Sequence, residues 1–125
     1  MRFIIIARAN ADPIAGSRPG DSWPSEMAAY HDTLARAGVL LDAAGLQPSA
    51  TGWRLRYADG HCETLEGPHQ QGCDHAAAYT VIQVRTRAEA LEWARRFPAP
   101  AGPGVAAEIE VRPLYDMPLR ALPKP

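Results

Sequence analysis

Residues Phe3 to Ala7 form an unbroken apolar run. A strand that is apolar on both sides belongs in the middle of a sheet with something packed on each face. The stretch Asn10 to Pro24 is rich in Pro, Gly, Asp and Ser and reads as a loop. Its length is unusual for a small domain, and loops of that length often serve as lids or rims. A helix opens near Ser22, with Pro24 in its first turn where a missing N–H costs nothing. Met27, Tyr30, His31 and Leu34 follow at helical spacing on one face, while Asp32 and Arg36 lie on the opposite side and pair in solvent. Gly38 ends the helix at its C′ position. Val39 to Leu41 reads as a short strand and Ala44 to Pro48 as a loop.

Trp53-Arg54-Leu55-Arg56-Tyr57 alternates strictly, the pattern of a strand with one buried face. Asp59-Gly60 then signals a two-residue hairpin turn of type I′. Such a turn pairs Tyr57 with Cys62, Leu55 with Thr64 and Trp53 with Glu66 on one face. Arg56 meets Glu63 and Arg54 meets Leu65 on the other. His61 and Cys62 therefore point to opposite faces. Glu66 to His75 reads as a loop, and Ala77 to Val84 as a second interior strand containing Tyr79, Val81 and Ile82.

Thr86-Arg87-Ala88-Glu89 is a capping box that opens a second helix. Its apolar stripe is Ala90, Leu91, Ala94 and Phe97, and Pro98 marks its end. Pro100 to Gly104 reads as a loop. Ala107 to Leu114 alternates again, with Ile109 and Val111 inward and Glu108, Glu110 and Arg112 outward. Residues 1–117 thus make one domain, followed by a proline-rich tail over 118–125 that is expected to wander. The order of elements predicts an α+β fold, a ferredoxin-like two-layer sandwich with two helices on one face of a mainly antiparallel sheet of four or five strands. Strands apolar on both sides need a cover on the second face as well. The simplest cover is the same sheet of another copy, so a homodimer through sheet faces is expected.

Composition narrows the function classes. The 125 residues carry thirteen basic and fourteen acidic side chains, a formal net charge of −1 with no basic block. Neither nucleic acid nor an anionic membrane is an expected partner. The apolar run at the start is too short for a signal peptide and ends at Arg8 without a small-residue cleavage site. Two cysteines, Cys62 and Cys73, give no disulfide framework, and a reducing cytoplasm is the expected location.

Four segments together resemble a known family. They are Ala37-Gly38-Val39-Leu40-Leu41 with Gly45-Leu46-Gln47-Pro48, then Glu66-Gly67-Pro68-His69, Ala88 to Ala94, and Glu110-Val111-Arg112-Pro113. In this order they resemble the YCII-related proteins, in particular the branch named for an Asp-Gly-Pro-Phe motif. The resemblance implies a ferredoxin-like domain that dimerises sheet to sheet as an α/β barrel. Glu66 and His69 stand where that motif has Asp and Phe. In YCII-type relatives a first-helix histidine has been proposed as part of an active site. Counting back from Gly38 puts Met27, not His31, nearest that place, so the proposed site does not transfer by position.

The residue types that carry chemistry concentrate in His61 to His75. Glu66 faces Trp53 in the hairpin register, an apolar setting that would raise a carboxyl pKa. With His69 across a Gly-Pro turn it is a candidate acid/base pair, and His31 on the helix stripe is a third candidate proton carrier. The plainer alternatives are a strand-end carboxylate turned to water and a helix histidine satisfied by a backbone carbonyl. Trp53, Tyr79 and Arg54 are the candidates for holding a substrate, against the ordinary roles of core aromatics and solubilising arginines. His69, Cys73 and His75 form a possible three-ligand metal set, but no recognised zinc spacing accompanies them. No phosphate loop, dinucleotide fingerprint or nucleophile elbow is present, and no cofactor is expected. The sequence reading is therefore a protein acting on a small molecule in the barrel cleft by acid/base chemistry, with a non-catalytic ligand-binding or regulatory module, or a metal-binding protein, as alternatives.

Overall fold

The computed structural model describes residues 1–9, 22–67, 75–100, 107–117 and 119–122. In chain order the elements are β1 (Arg2–Ala9), α1 (Trp23–Arg36), β2 (Leu40–Gly45), β3 (Trp53–Ala58), β4 (His61–Glu66), β5 (His75–Gln83), α2 (Arg87–Arg95) and β6 (Ala107–Pro113). Short 3-10 turns occur at Ser49–Thr51 and, within the expected tail, at Leu119–Ala121.

The architecture is α+β. Four strands form one sheet in the order β2-β5-β1-β6, and every pairing is antiparallel. The apolar run of β1 sits between β5 and β6, as its two-sided hydrophobicity requires. The sheet is open, with β2 and β6 at its edges, so the chain by itself does not close into a barrel. Strands β3 and β4 do not extend this sheet. Among the described residues they pair only with each other, as a separate two-stranded ribbon, which corrects the upper estimate of five strands in one sheet.

Registration divides the sheet into two faces. Phe3, Ile5 and Ala7 of β1 share a face with Ala78, Thr80 and Ile82 of β5, and all six are buried. They join Trp23, Met27, Tyr30 and Leu34 of α1 and Ala90 and Ala94 of α2 in the core. The opposite face presents Ile4, Ile6, Tyr79 and Val81, which stay partly exposed.

Helix α1 stops through a Schellman motif. Gly38 has φ +74°, its N–H donates to the Ala35 carbonyl, and Val39 N–H donates to the Leu34 carbonyl at 3.1 Å. Asp32 and Arg36 pair on the solvent side at 3.0 Å. At the other end Ser22 is the N-cap residue, yet its hydroxyl donates to the Glu26 carboxylate instead of accepting a helix N–H. The capping box of α2 forms, with Glu89 N–H donating to Thr86 Oγ1, while the Glu89 carboxylate accepts from Arg85 N–H.

Two local expectations need correcting. Strand β2 runs on to Gly45 instead of ending at Leu41, because Asp42 to Gly45 pair with Ala78 to Val81 after an irregularity past Leu40. Leu91 of α2 is exposed, and Trp93 packs against the core in its place. Ala90, Trp93, Ala94 and Phe97 follow the i, i+3, i+4, i+7 spacing of one stripe, and Leu91 stands one residue off its start.

Candidate functional site

On the helix side of the sheet, α1 carries His31 to the one buried polar side chain among the described residues, Thr80. His31 Nε2 lies 2.9 Å from Thr80 Oγ1. A hydroxyl shut away from water must find a partner, and the imidazole supplies it. Burial lowers the His31 pKa from its usual 6.5 because desolvation disfavours the imidazolium. Beside it, Tyr30 donates its hydroxyl to the Trp93 carbonyl at 2.8 Å and ties α1 to α2. Burial pushes the Tyr30 phenol up to about 12. His31 thus meets a threonine hydroxyl, where a backbone carbonyl was the plainer expectation.

On the open face of the sheet, polar groups stand at both edges of the half-exposed Ile4, Ile6 and Val81. Tyr79 on β5 donates its hydroxyl to Asp42 Oδ2 on β2 at 3.1 Å, and Asp42 Oδ1 accepts from Ala43 N–H. That hydrogen bond and the adjacent negative charge raise the Tyr79 pKa, so this phenol is a fixed donor, not a ready base. At the β6 edge Glu110 accepts from Arg8 at 2.8 Å and also from Arg112. Hydrogen bonds from Arg8 and then Arg112 hold its carboxyl below the ordinary range. Asp42, Arg8 and Glu110 escape a reading by motif, because strand pairing joins residues far apart in the chain.

The hairpin has the expected register, pair by pair, from Trp53 opposite Glu66 to Ala58 opposite His61. Both turn residues take positive φ, Asp59 at 51° and Gly60 at 77°, as a type I′ turn requires. Trp53 and Glu66 share one face and Arg54 lies on the other. All three side chains are exposed in the single chain. Among the described residues the ribbon's aromatic face leaves Trp53 and Glu66 open to solvent. Among the described residues, an open concavity of about 450 Å³ at the hairpin tip is lined by Tyr57 to Cys62.

The candidates thus occupy separate surfaces. His31 lies on the helix side, Tyr79 on the open sheet face, Trp53 and Glu66 on one face of the ribbon, and Arg54 on its other face. His69 and Cys73 lie outside the described residues, as does the side chain of His75. Among the described residues no group of three or more His, Cys, Asp or Glu side chains gathers to hold a metal ion. Cys62 is a free, exposed thiol.

A family model for the YCII-related domain matches residues 1–115. The chain belongs to the YCII-related family. In this YCII-related chain the match spans every strand and both helices, including the β3–β4 ribbon that stands apart from the sheet. No curated protein matches the sequence. Among the described residues no helix is long and apolar enough to cross a membrane.

Proposed function

We propose that this YCII-related protein is a homodimeric small-molecule-binding module of ferredoxin-like type, in which the open sheet faces of two copies close an α/β barrel around the ligand. The observation that carries the reading is the open face itself. Its centre of Ile4, Ile6 and Val81 is apolar and half-exposed, and its edges carry orientationally fixed polar groups, Tyr79–Asp42 on one side and Arg8–Glu110–Arg112 on the other. Apolar walls with a few placed polar groups are the general make-up of a small-molecule site. The four candidate segments, Glu66-Gly67-Pro68-His69 among them, support placement in the Asp-Gly-Pro-Phe branch.

The test is the mass in solution. Sedimentation of the wild type at micromolar concentration is expected to give a dimer, and Ile6→Lys, which sets a charge in the middle of the face, a folded monomer. A monomeric wild type would refute the pairing. Within the dimer, a thermal-shift screen of small polar organic molecules is expected to find ligands whose stabilisation is lost in Tyr79→Phe.

Acid/base turnover by Glu66, His69 and His31 is the second reading. One observation favours it: His31 is half-buried, and desolvation keeps its imidazole neutral at physiological pH, the form a general base needs. Glu66→Gln would then abolish turnover of a bound ligand while leaving folding intact. Turnover at the wild-type rate by that variant would eliminate this reading.

A further inference from the structure

We infer that the β3–β4 ribbon is a docking arm for the same arm of a second copy, the two packing face to face about a two-fold axis beside Leu55. Trp53, Leu55 and Tyr57 form one row on β3 and are 68%, 49% and 76% exposed. Cys62, Thr64 and Glu66 lie beside them on β4. A lone two-stranded hairpin is marginal in water, and a contiguous row of three large apolar side chains left in solvent marks an interaction surface. The ribbon is nonetheless built firmly at its root. Gly67 N–H donates to the Gly52 carbonyl at 3.0 Å, and Gly67 lies so close to Ser49 that a Cβ would fall 1.8 Å from the Ser49 carbonyl oxygen. The arm is thus held out in a set direction with its aromatic row uncovered.

The row has the symmetry that a copy of itself requires. A two-fold through Leu55 sets Leu55 on Leu55 and Trp53 of each arm against Tyr57 of the other, and an isologous contact has this reciprocal form. Charge selects the geometry. Edge-to-edge pairing of two β3 strands about the same residue would bring Arg54 of one copy beside Arg56 of the other, a like-charge cross-strand contact. It would also leave the aromatic row in water. Face-to-face packing covers the row and keeps both arginines turned outward.

Area sets the role of this contact. At about 150–250 Å² per aromatic side chain and less for leucine, these exposures amount to roughly 400 Å² on each arm. A stable dimer buries about 800 Å² per partner. The arms therefore add to a larger interface between copies and do not form one alone. The inference rests on the sheet-face reading for the larger interface to which the arms add.

Cross-linking tests it in the full chain with Cys62→Ser and Cys73→Ser as background. Leu55→Cys is expected to convert to a disulfide-linked dimer under mild oxidation, with loss of the monomer band on a non-reducing gel. A mixture of Trp53→Cys and Tyr57→Cys chains is expected to link to each other in preference to themselves. Arg54→Cys is expected to stay monomeric on the gel. Absence of the link at position 55, or equal linking at 54, would overturn the inference. Should Leu55→Cys not fold by circular dichroism, the concentration dependence of Trp53 emission serves instead, isolated by subtracting a Trp53→Phe spectrum. A blue shift on concentration supports arm contact, and a constant spectrum overturns it. Sedimentation of the same chains separates the two readings: a dimer that gives no link at position 55 overturns the arm contact alone, and a monomer overturns the sheet pairing as well.

Discussion

The four-stranded sheet and the β3–β4 ribbon share a pairing geometry and differ in everything that surrounds it. Both are antiparallel, and in both alternate residues share a face that carries large apolar side chains. In the sheet those side chains meet two helices, and Phe3, Ile5 and Ile82 are buried. In the ribbon Trp53, Leu55 and Tyr57 remain largely in solvent among the described residues. Pairing specifies which residues share a face, whereas stability comes from what lies over that face. Among the described residues the sheet has its own cover on one side, and the ribbon has none.

The largest expected effect tests that difference directly. Leu34→Ala removes a fully buried side chain between α1 and the sheet and should cost about 2–5 kcal/mol in urea unfolding. Leu55→Ala on the ribbon, measured dilute enough to suppress association, should cost less than about 1 kcal/mol. Equal costs would mean that the arm is buried within its own chain. Next in size is Gly67→Ala, whose Cβ would collide with the Ser49 carbonyl. A shift of backbone worth about 1–3 kcal/mol is expected at the arm's root. Hydrogen exchange should show faster exchange across β3 and β4, with β1 and β5 unchanged.

The smallest effect concerns His31 and sharpens the view of the helix side. Its folded pKa lies below the 6.5 of the unfolded chain, so the unfolded state binds the proton first as pH falls. The contribution of neutral His31 to stability is present above about pH 6.5 and declines as pH drops from there toward the folded value. Urea midpoints measured across that window should fall more steeply for the wild type than for His31→Gln. Parallel curves would show that the His31–Thr80 contact does not couple to protonation.

Much of the fold could be read directly from residue order. The apolar run of β1 gives its central place, Gly38 gives the end of α1, and Asp59-Gly60 gives the ribbon's register residue by residue. The length of β2 was hidden because Asp42, Ala44 and Gly45 are poor strand formers held in place by pairing with β5. The candidate site was less legible. Alternation from Trp53 to Tyr57 identified the shared face of Glu66 and Trp53 but carried no information on whether anything covers it. The partners of His31 and Tyr79 are Thr80 and Asp42, brought together only by tertiary packing.

The central place of β1 also bears on how the chain reaches its native state. The first strand in the chain takes its neighbours from the far end, with Phe3 beside both Ile82 and Pro113. Contacts of such sequence separation slow folding, because the intervening chain must be confined before they form. On a ribosome, the apolar segment Phe3 to Ala7 emerges before both of its partners, the first at residues 75–83 and the second at residues 107–113. During that interval Phe3 to Ala7 is a bare β-forming segment of the kind that aggregates or recruits chaperones.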